Sequence, residues 1–182
     1  GKESLELIYN NAKELQKHGI ACVEQTINCE RNEIQMPYMK NPTLINYLKV
    51  QFQNNTDKVE AVFDALYEKI QQSSEQVPFE VCNLKGDGIS KEEFGIVLKK
   101  AYIDMIPYNC FYVDGQILFY DQEFVKENCP AKYVLFRALR YTYIYIPEAE
   151  SRIPLQYFKD RYQLNNLWNI FEREEAAFVE DN

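Results

Sequence analysis

The chain has 182 residues, 46% of them hydrophobic and 26% charged. That composition suits one globular domain with a real core and excludes a disordered chain. The formal net charge of −8 at pH 7 disfavours nucleic-acid backbones and anionic membranes, whereas a metal-bound nucleotide stays compatible because the metal neutralises the phosphates locally.

No apolar run reaches membrane-spanning length and no signal-peptide pattern opens the chain, so a cytoplasmic protein without membrane insertion is expected. The start at Gly1, with no initiator Met, leads to the expectation of a piece of a longer protein. Five cysteines occur (Cys22, Cys29, Cys82, Cys110, Cys129) with no Cys-x-x-Cys pair. They read as reduced, mostly buried thiols. The single histidine, His18, stands beside Gly19 and reads as a helix C-terminal residue. One histidine leaves little room for Ser-His or Cys-His catalysis or for a His-rich zinc site.

In chain order, Ser4–Lys17 has a helical pattern, with Leu5, Ile8, Ala12 and Leu15 on one face and Gly19 as the stop. Ala21–Asn28 and Glu33–Met36 read as two strands around a polar turn. An irregular connector, Met36–Pro42, follows. A helix begins at Thr43 with Leu44, Ile45, Leu48 and Phe52. A longer one runs from Asp57 to about Gln72 with Val59, Val62, Phe63, Leu66 and Ile70 inward.

Between Gln76 and Lys100, the run Lys85-Gly-Asp-Gly-Ile-Ser-Lys-Glu-Glu93 approaches the end of a calcium-binding EF-hand loop. It fails on spacing, because Gly88 and Ile89 are adjacent, and Asn83 and Lys85 replace early acids. It reads instead as a turn and a helix capped by Ser90, with Glu93 three residues on. Pro130 opens a nearly all-apolar helix to about Ile146. Arg137 within it needs an acidic or carbonyl partner if buried. Two amphipathic helices, about Leu155–Tyr162 and Leu164–Val179, close the chain. Trp168, Phe171 and Phe178 form an apolar stripe in the second.

The most informative segment is Tyr102–Phe124. It carries Asp104, then Asn109 five residues later, then Asp121 twelve residues after that. Two apolar runs, Cys110–Val113 and Gln116–Tyr120, flank Asp114-Gly115, a strong hairpin signal. A hairpin there would fold Asn109 and Asp121 back to one end, with Asp104 on the loop before. Three oxygen-bearing side chains would then converge, as for a hard cation and a phosphate chain.

This pattern resembles the catalytic and metal-binding loops of the protein-kinase-like superfamily, nearest to its aminoglycoside phosphotransferase and choline kinase branch. The resemblance implies an α+β kinase-like fold, with 1–40 a remnant of the small lobe and hinge and 41–182 a mostly helical large lobe. It implies Asp104 as catalytic base, Asn109, Asp121 and Glu123 as metal ligands, Met36 and Tyr38 as the hinge at the nucleotide, and magnesium and ATP as cofactors. Glu6 and Glu14 are both candidates for the glutamate that pairs with a nucleotide-binding lysine. One departure is Tyr102, where the family usually has His.

More narrowly, the run from Asp104 to Leu139 resembles a bacterial domain at the C-terminal end of methyltransferase- or glycosyltransferase-type proteins of cell-surface polysaccharide clusters. The implied function is phosphorylation of a small-molecule or sugar hydroxyl. The alternative is an inactive accessory or docking domain attached to such a transferase. The Gly-rich loop and lysine-bearing strand that precede the first helix in that fold have no counterpart within the chain, and Gly86-Asp-Gly88 lacks the spacing to replace them. The chain alone is therefore expected to be a poor catalyst.

Overall fold

Helix α1 (Lys2–Lys17) buries Ile8, Ala12 and Leu15 in the computed structural model, which describes residues 1–182. It ends as its sequence foretells. Gly19 has φ +77°, the Ile20 amide donates to the Leu15 carbonyl at 3.0 Å, and the Gly19 amide donates to Gln16 at 3.0 Å. These two bonds form a Schellman cap, with buried Leu15 and Ile20 as its apolar clasp. His18 is the capping residue.

Strands β1 (Thr26–Asn28) and β2 (Glu33–Gln35) pair antiparallel, with Ile27 opposite Ile34. β1 is shorter than the expected 21–28. The missing part pairs elsewhere: the Phe119 amide donates to the Ala21 carbonyl at 3.0 Å and the Val23 amide to Phe119 at 2.8 Å. Residues 21–23 therefore stitch the hairpin region to a strand nearly a hundred positions later.

α2 (Leu44–Asn54) starts where Thr43 Oγ1 accepts from the Asn46 amide, an N-cap. α3 (Thr56–Gln72) buries the five apolar residues expected of it. β3 (Gln76–Val77) then leads through loop to α4 (Lys91–Phe94), a single turn capped by Ser90 Oγ accepting from the Glu93 amide at 3.2 Å. Gly95, at φ +74°, reverses the chain into β4 (Val97–Tyr102).

β4 was not foreseen, nor was β7 (Val125–Pro130), its antiparallel partner. Neither alternates cleanly. Val97, Leu98, Ala101 and Tyr102 are buried while Lys99 and Lys100 between them are exposed, and Asn128 breaks β7 with φ +53°. Period-two patterning does not see such strands. β3, β4 and β7 make one three-stranded antiparallel sheet.

Between β4 and β7, β5 (Cys110–Val113) and β6 (Gln116–Phe119) form the expected hairpin, with Cys110 opposite Phe119 and Val113 opposite Gln116. α5 (Ala131–Tyr145) follows β7 directly, with Pro130 as its N-cap. Tyr133, Val134, Leu135, Phe136, Ala138 and Leu139 are all fully buried. At about 1.5–3 kcal/mol per fully buried large side chain, this helix anchors the fold. α6 (Leu155–Arg161) and α7 (Trp168–Asp181) close the chain. α7 begins four residues later than expected, because the Leu164 amide caps α6 by donating to the Lys159 carbonyl.

The architecture is α+β, with small antiparallel sheets and one contiguous core shared by α2, α3, α5 and the β4–β7 sheet. No helix is long and apolar enough to cross a membrane.

Candidate functional site

The β5–β6 hairpin turns through Asp114 (φ +50°) and Gly115 (φ +77°). Both are left-handed, the geometry an Asp-Gly pair accepts most readily in a tight hairpin. Its open end carries the site. The Tyr120 amide donates to the Asn109 carbonyl at 2.9 Å, extending the ladder one step past β6. Asn109 and Tyr120-Asp121 therefore stand on the two sides of the same end. Asp121 itself is exposed and left-handed, with φ +57°.

Asp104 is tied to this end through its own carbonyl. Asn109 Nδ2 donates to it at 3.2 Å and Gln122 Nε2 at 2.9 Å, and Gln122 Nε2 also reaches the Tyr120 carbonyl at 2.9 Å. Gln122, only 1% exposed, is the middle residue of Asp-Gln-Glu. Sequence reading passed over it. Its signal was faint: a lone amide between two acids.

The Asp104 carboxylate, mostly buried, receives Arg137 Nη1 at 3.1 Å. Burial raises its pKa and the charges of Asp121 and Glu123 add to that, against the lowering pull of Arg137. The net direction is upward, which is unusual for an ion-paired acid. The Asp121 carboxyl is also raised, by partial desolvation, although the residue as a whole is exposed, and then by Glu123. Asp104, Asp121 and Glu123 thus form one electrostatically coupled group.

Arg137 finds the partners the sequence demanded. Nη1 also donates to the Ile103 carbonyl, and Nε donates to Glu175 Oε2 at 2.8 Å. Glu175 on α7, 2% exposed, also accepts from the Tyr133 hydroxyl at 2.7 Å and the Tyr141 hydroxyl at 2.5 Å. Burial alone pushes its pKa up, but the bonds from Arg137, Tyr141 and Tyr133 outweigh it and leave the carboxyl below the usual range. Glu175 was also missed. Its signal was legible: it lies on the Phe171–Phe178 face of α7, where a carboxylate is out of place without a buried partner.

Glu123 turns toward α1. Ser4 Oγ donates to its Oε1 at 2.5 Å, and Asn11 Nδ2 donates to the carbonyls of Gln122 at 2.7 Å and Glu123 at 3.1 Å. α1 is therefore docked on the 121–123 segment. Of its two candidate glutamates, Glu6 is exposed, and Glu14 pairs with Lys17 at 3.0 Å.

A cleft of about 430 Å³ opens between α1, the β1–β2 hairpin and Asp121, lined by Leu5, Ile8, Gln25, Ile34, Met36 and Tyr120 among others. Met36 borders this cleft. Tyr38 does not, and stands 88% exposed. Gln25 is buried beside it, Nε2 facing Met36 Sδ at 3.7 Å and Oε1 without a partner.

No set of three or more His, Cys, Asp or Glu side chains converges to hold a metal by itself. At the hairpin end the oxygen-bearing side chains on offer are those of Asn109, whose Nδ2 is used on the Asp104 carbonyl, and of exposed Asp121. No protein-family model matches this chain, and no curated protein matches it.

Proposed function

We propose that this domain performs phosphoryl transfer from a magnesium-bound nucleoside triphosphate to a small-molecule or sugar hydroxyl. The observation that carries the reading is the hairpin end itself. Asn109 and Asp121 flank it, and Asp104 is held beside them by two amides on one carbonyl.

Asn109 Oδ1 and Asp121 would hold the metal, which would offset the charge of the phosphates. Glu123, whose Oε1 accepts from Ser4 on α1, would bring its other carboxylate oxygen and its negative potential to the cation. Asp104 would orient the acceptor hydroxyl and take its proton. Its raised pKa suits that task better than a carboxylate at the usual value. Arg137 holds the Asp104 carboxylate from the core side. Met36, on the cleft rim, would contact an apolar ring face.

One observation favours the accessory reading: the Arg137 bond occupies Asp104 Oδ1 and draws on the charge a base needs. The two readings separate by a thermal melt with and without magnesium and ATP, beside Asp121→Asn. Binding at a hundred times Kd stabilises by about 2.7 kcal/mol, roughly 5 °C or more for a chain of this size. A magnesium-dependent rise in the wild type that Asp121→Asn abolishes supports the transferase. No rise at millimolar ATP, both in this chain and in one extended by a Gly-rich loop and a lysine-bearing strand, favours a docking domain.

A further inference from the structure

We propose that Glu175 is a positioning residue for Asp104, acting through Arg137, so that the seating of α7 sets the geometry of the candidate active site. The part assigned to Asp104 rests on the phosphoryl-transfer reading; the mechanical link from α7 does not.

Glu175 is an expensive residue to bury. An apolar side chain of similar volume would pack there with no charge to desolvate. In exchange, each of its oxygens takes two donors. Oε2 accepts from Arg137 Nε at 2.8 Å and the Tyr133 hydroxyl at 2.7 Å; Oε1 accepts from the Tyr141 hydroxyl at 2.5 Å and Arg137 Nη2 at 3.4 Å. The carboxylate is therefore held by two phenols and grips two of the three guanidinium nitrogens.

A guanidinium is a planar fork. Fixing Nε and Nη2 fixes where Nη1 points. Nη1 points at the Ile103 carbonyl and at Asp104 Oδ1. Two rings lie near the guanidinium carbon: Tyr141 at 5.3 Å and Phe178 at 5.5 Å. Phe178 belongs to α7 as well, so one helix supplies both the in-plane grip and one of the neighbouring rings. Glu175 also neutralises Arg137, so Asp104 is held by a guanidinium whose charge is already shared.

A buried ion pair that only stabilises the fold would look similar in a melt. The two differ at Asp104. Its amide belongs to the same peptide unit as the Ile103 carbonyl, and therefore senses the Nη1 bond directly. The experiment is nitrogen-15 and carbon-13 NMR on the whole chain without nucleotide, following the Arg137 Nε–H, the Asp104 amide and the Asp104 side-chain carboxyl carbon. Glu175→Gln is compared with Tyr141→Phe, which removes one hydroxyl from Glu175, and with Glu174→Gln as the adjacent control. The expected result is displacement of all three signals in Glu175→Gln, smaller displacement in Tyr141→Phe, and wild-type Asp104 signals in Glu174→Gln. Asp104 signals that coincide with wild type in Glu175→Gln, while its melting point falls, overturn the proposal. Should Glu175→Gln not fold, unmoved Asp104 signals in Tyr141→Phe overturn it equally. Because no nucleotide is present, a failure of the phosphotransferase reading leaves this result standing, and the reverse also holds.

Discussion

Gln122 and Asp104 are joined by one bond that crosses from the end of the hairpin to the loop before it: Gln122 Nε2 donates to the Asp104 carbonyl at 2.9 Å. The same nitrogen reaches the Tyr120 carbonyl, and Asn109 Nδ2 reaches the same Asp104 oxygen. The buried Gln122 amide is thus one of two ties, with that of Asn109, between the Asp104 loop and the hairpin end. Gln122→Ala removes both of its bonds and is expected to cost about 1–3 kcal/mol. Urea unfolding should show the midpoint falling with the slope unchanged. An unchanged midpoint would mean that the tie carries no weight.

Arg137 is the hub on the other side of Asp104. Arg137→Met leaves Glu175 and Asp104 charged and unpaired in or near the core. Breaking a buried pair from one side costs about 3–5 kcal/mol, so the thermal midpoint is expected to drop by roughly 6–20 °C. The pH dependence has a defined sign. Glu175 is held below its ordinary value of 4.5, so its contribution is present above that value and is lost as pH falls through the lower folded-state pKa. In Glu175→Gln this acid-side loss should be absent, as a series of melts from pH 7 downward would show.

Asp121 runs the opposite way. Partial desolvation and Glu123 raise its pKa above 3.8. Its stabilising contribution is therefore present below 3.8 and lost as pH rises through the raised value. At neutral pH the ionised side chain works against the fold. Asp121→Asn keeps a residue type that tolerates φ +57° and removes the charge. Because the side chain is exposed and screened, a gain of only about 1–3 °C is expected at pH 7. The gain should shrink as pH falls. A variant less stable than wild type at pH 7 would contradict the electrostatic account of this group.

The hairpin turn offers a backbone test. Gly115 sits at φ +77° with open space around the place a Cβ would occupy, so any penalty for a side chain is conformational and not steric crowding. Gly115→Val is expected to cost about 1–3 kcal/mol, while Asp114→Asn, at φ +50°, should be nearly neutral. The two variants compared by chemical denaturation would separate turn strain from loss of the Asp114 carboxylate.

Much of the site's scaffold was readable from the residues. The Asp-Gly turn between two apolar runs specified the hairpin and so the adjacency of Asn109 and Asp121, because a two-residue turn leaves one register. The apolar length around Arg137 announced a buried guanidinium in need of a partner. That Glu175 needed a buried partner was legible on its helix face, but that Arg137 would be that partner, and that Asp104 would share it, could not be read. Asp104 lies thirty-three positions before Arg137 and Glu175 thirty-eight after, and no local pattern encodes such a pairing. β4 and β7 were hidden for a related reason: their burial follows the sheet and helices packed on them, not an alternation along each strand.

By itself, then, the sequence determined the helices α1, α2, α3 and α5, the stop at Gly19, the Ser90 cap and the β5–β6 hairpin. Each follows from forces acting within a few residues: apolar periodicity, capping bonds and left-handed turn residues. Only the tertiary structure decided that residues 21–23 would pair with β6, that Gln122 and Asn109 would share the Asp104 carbonyl, and that α7 would bring Glu175 to Arg137. Those contacts stabilise buried polar groups that distant segments leave without water, and the choice among partners is made only when the core closes around them.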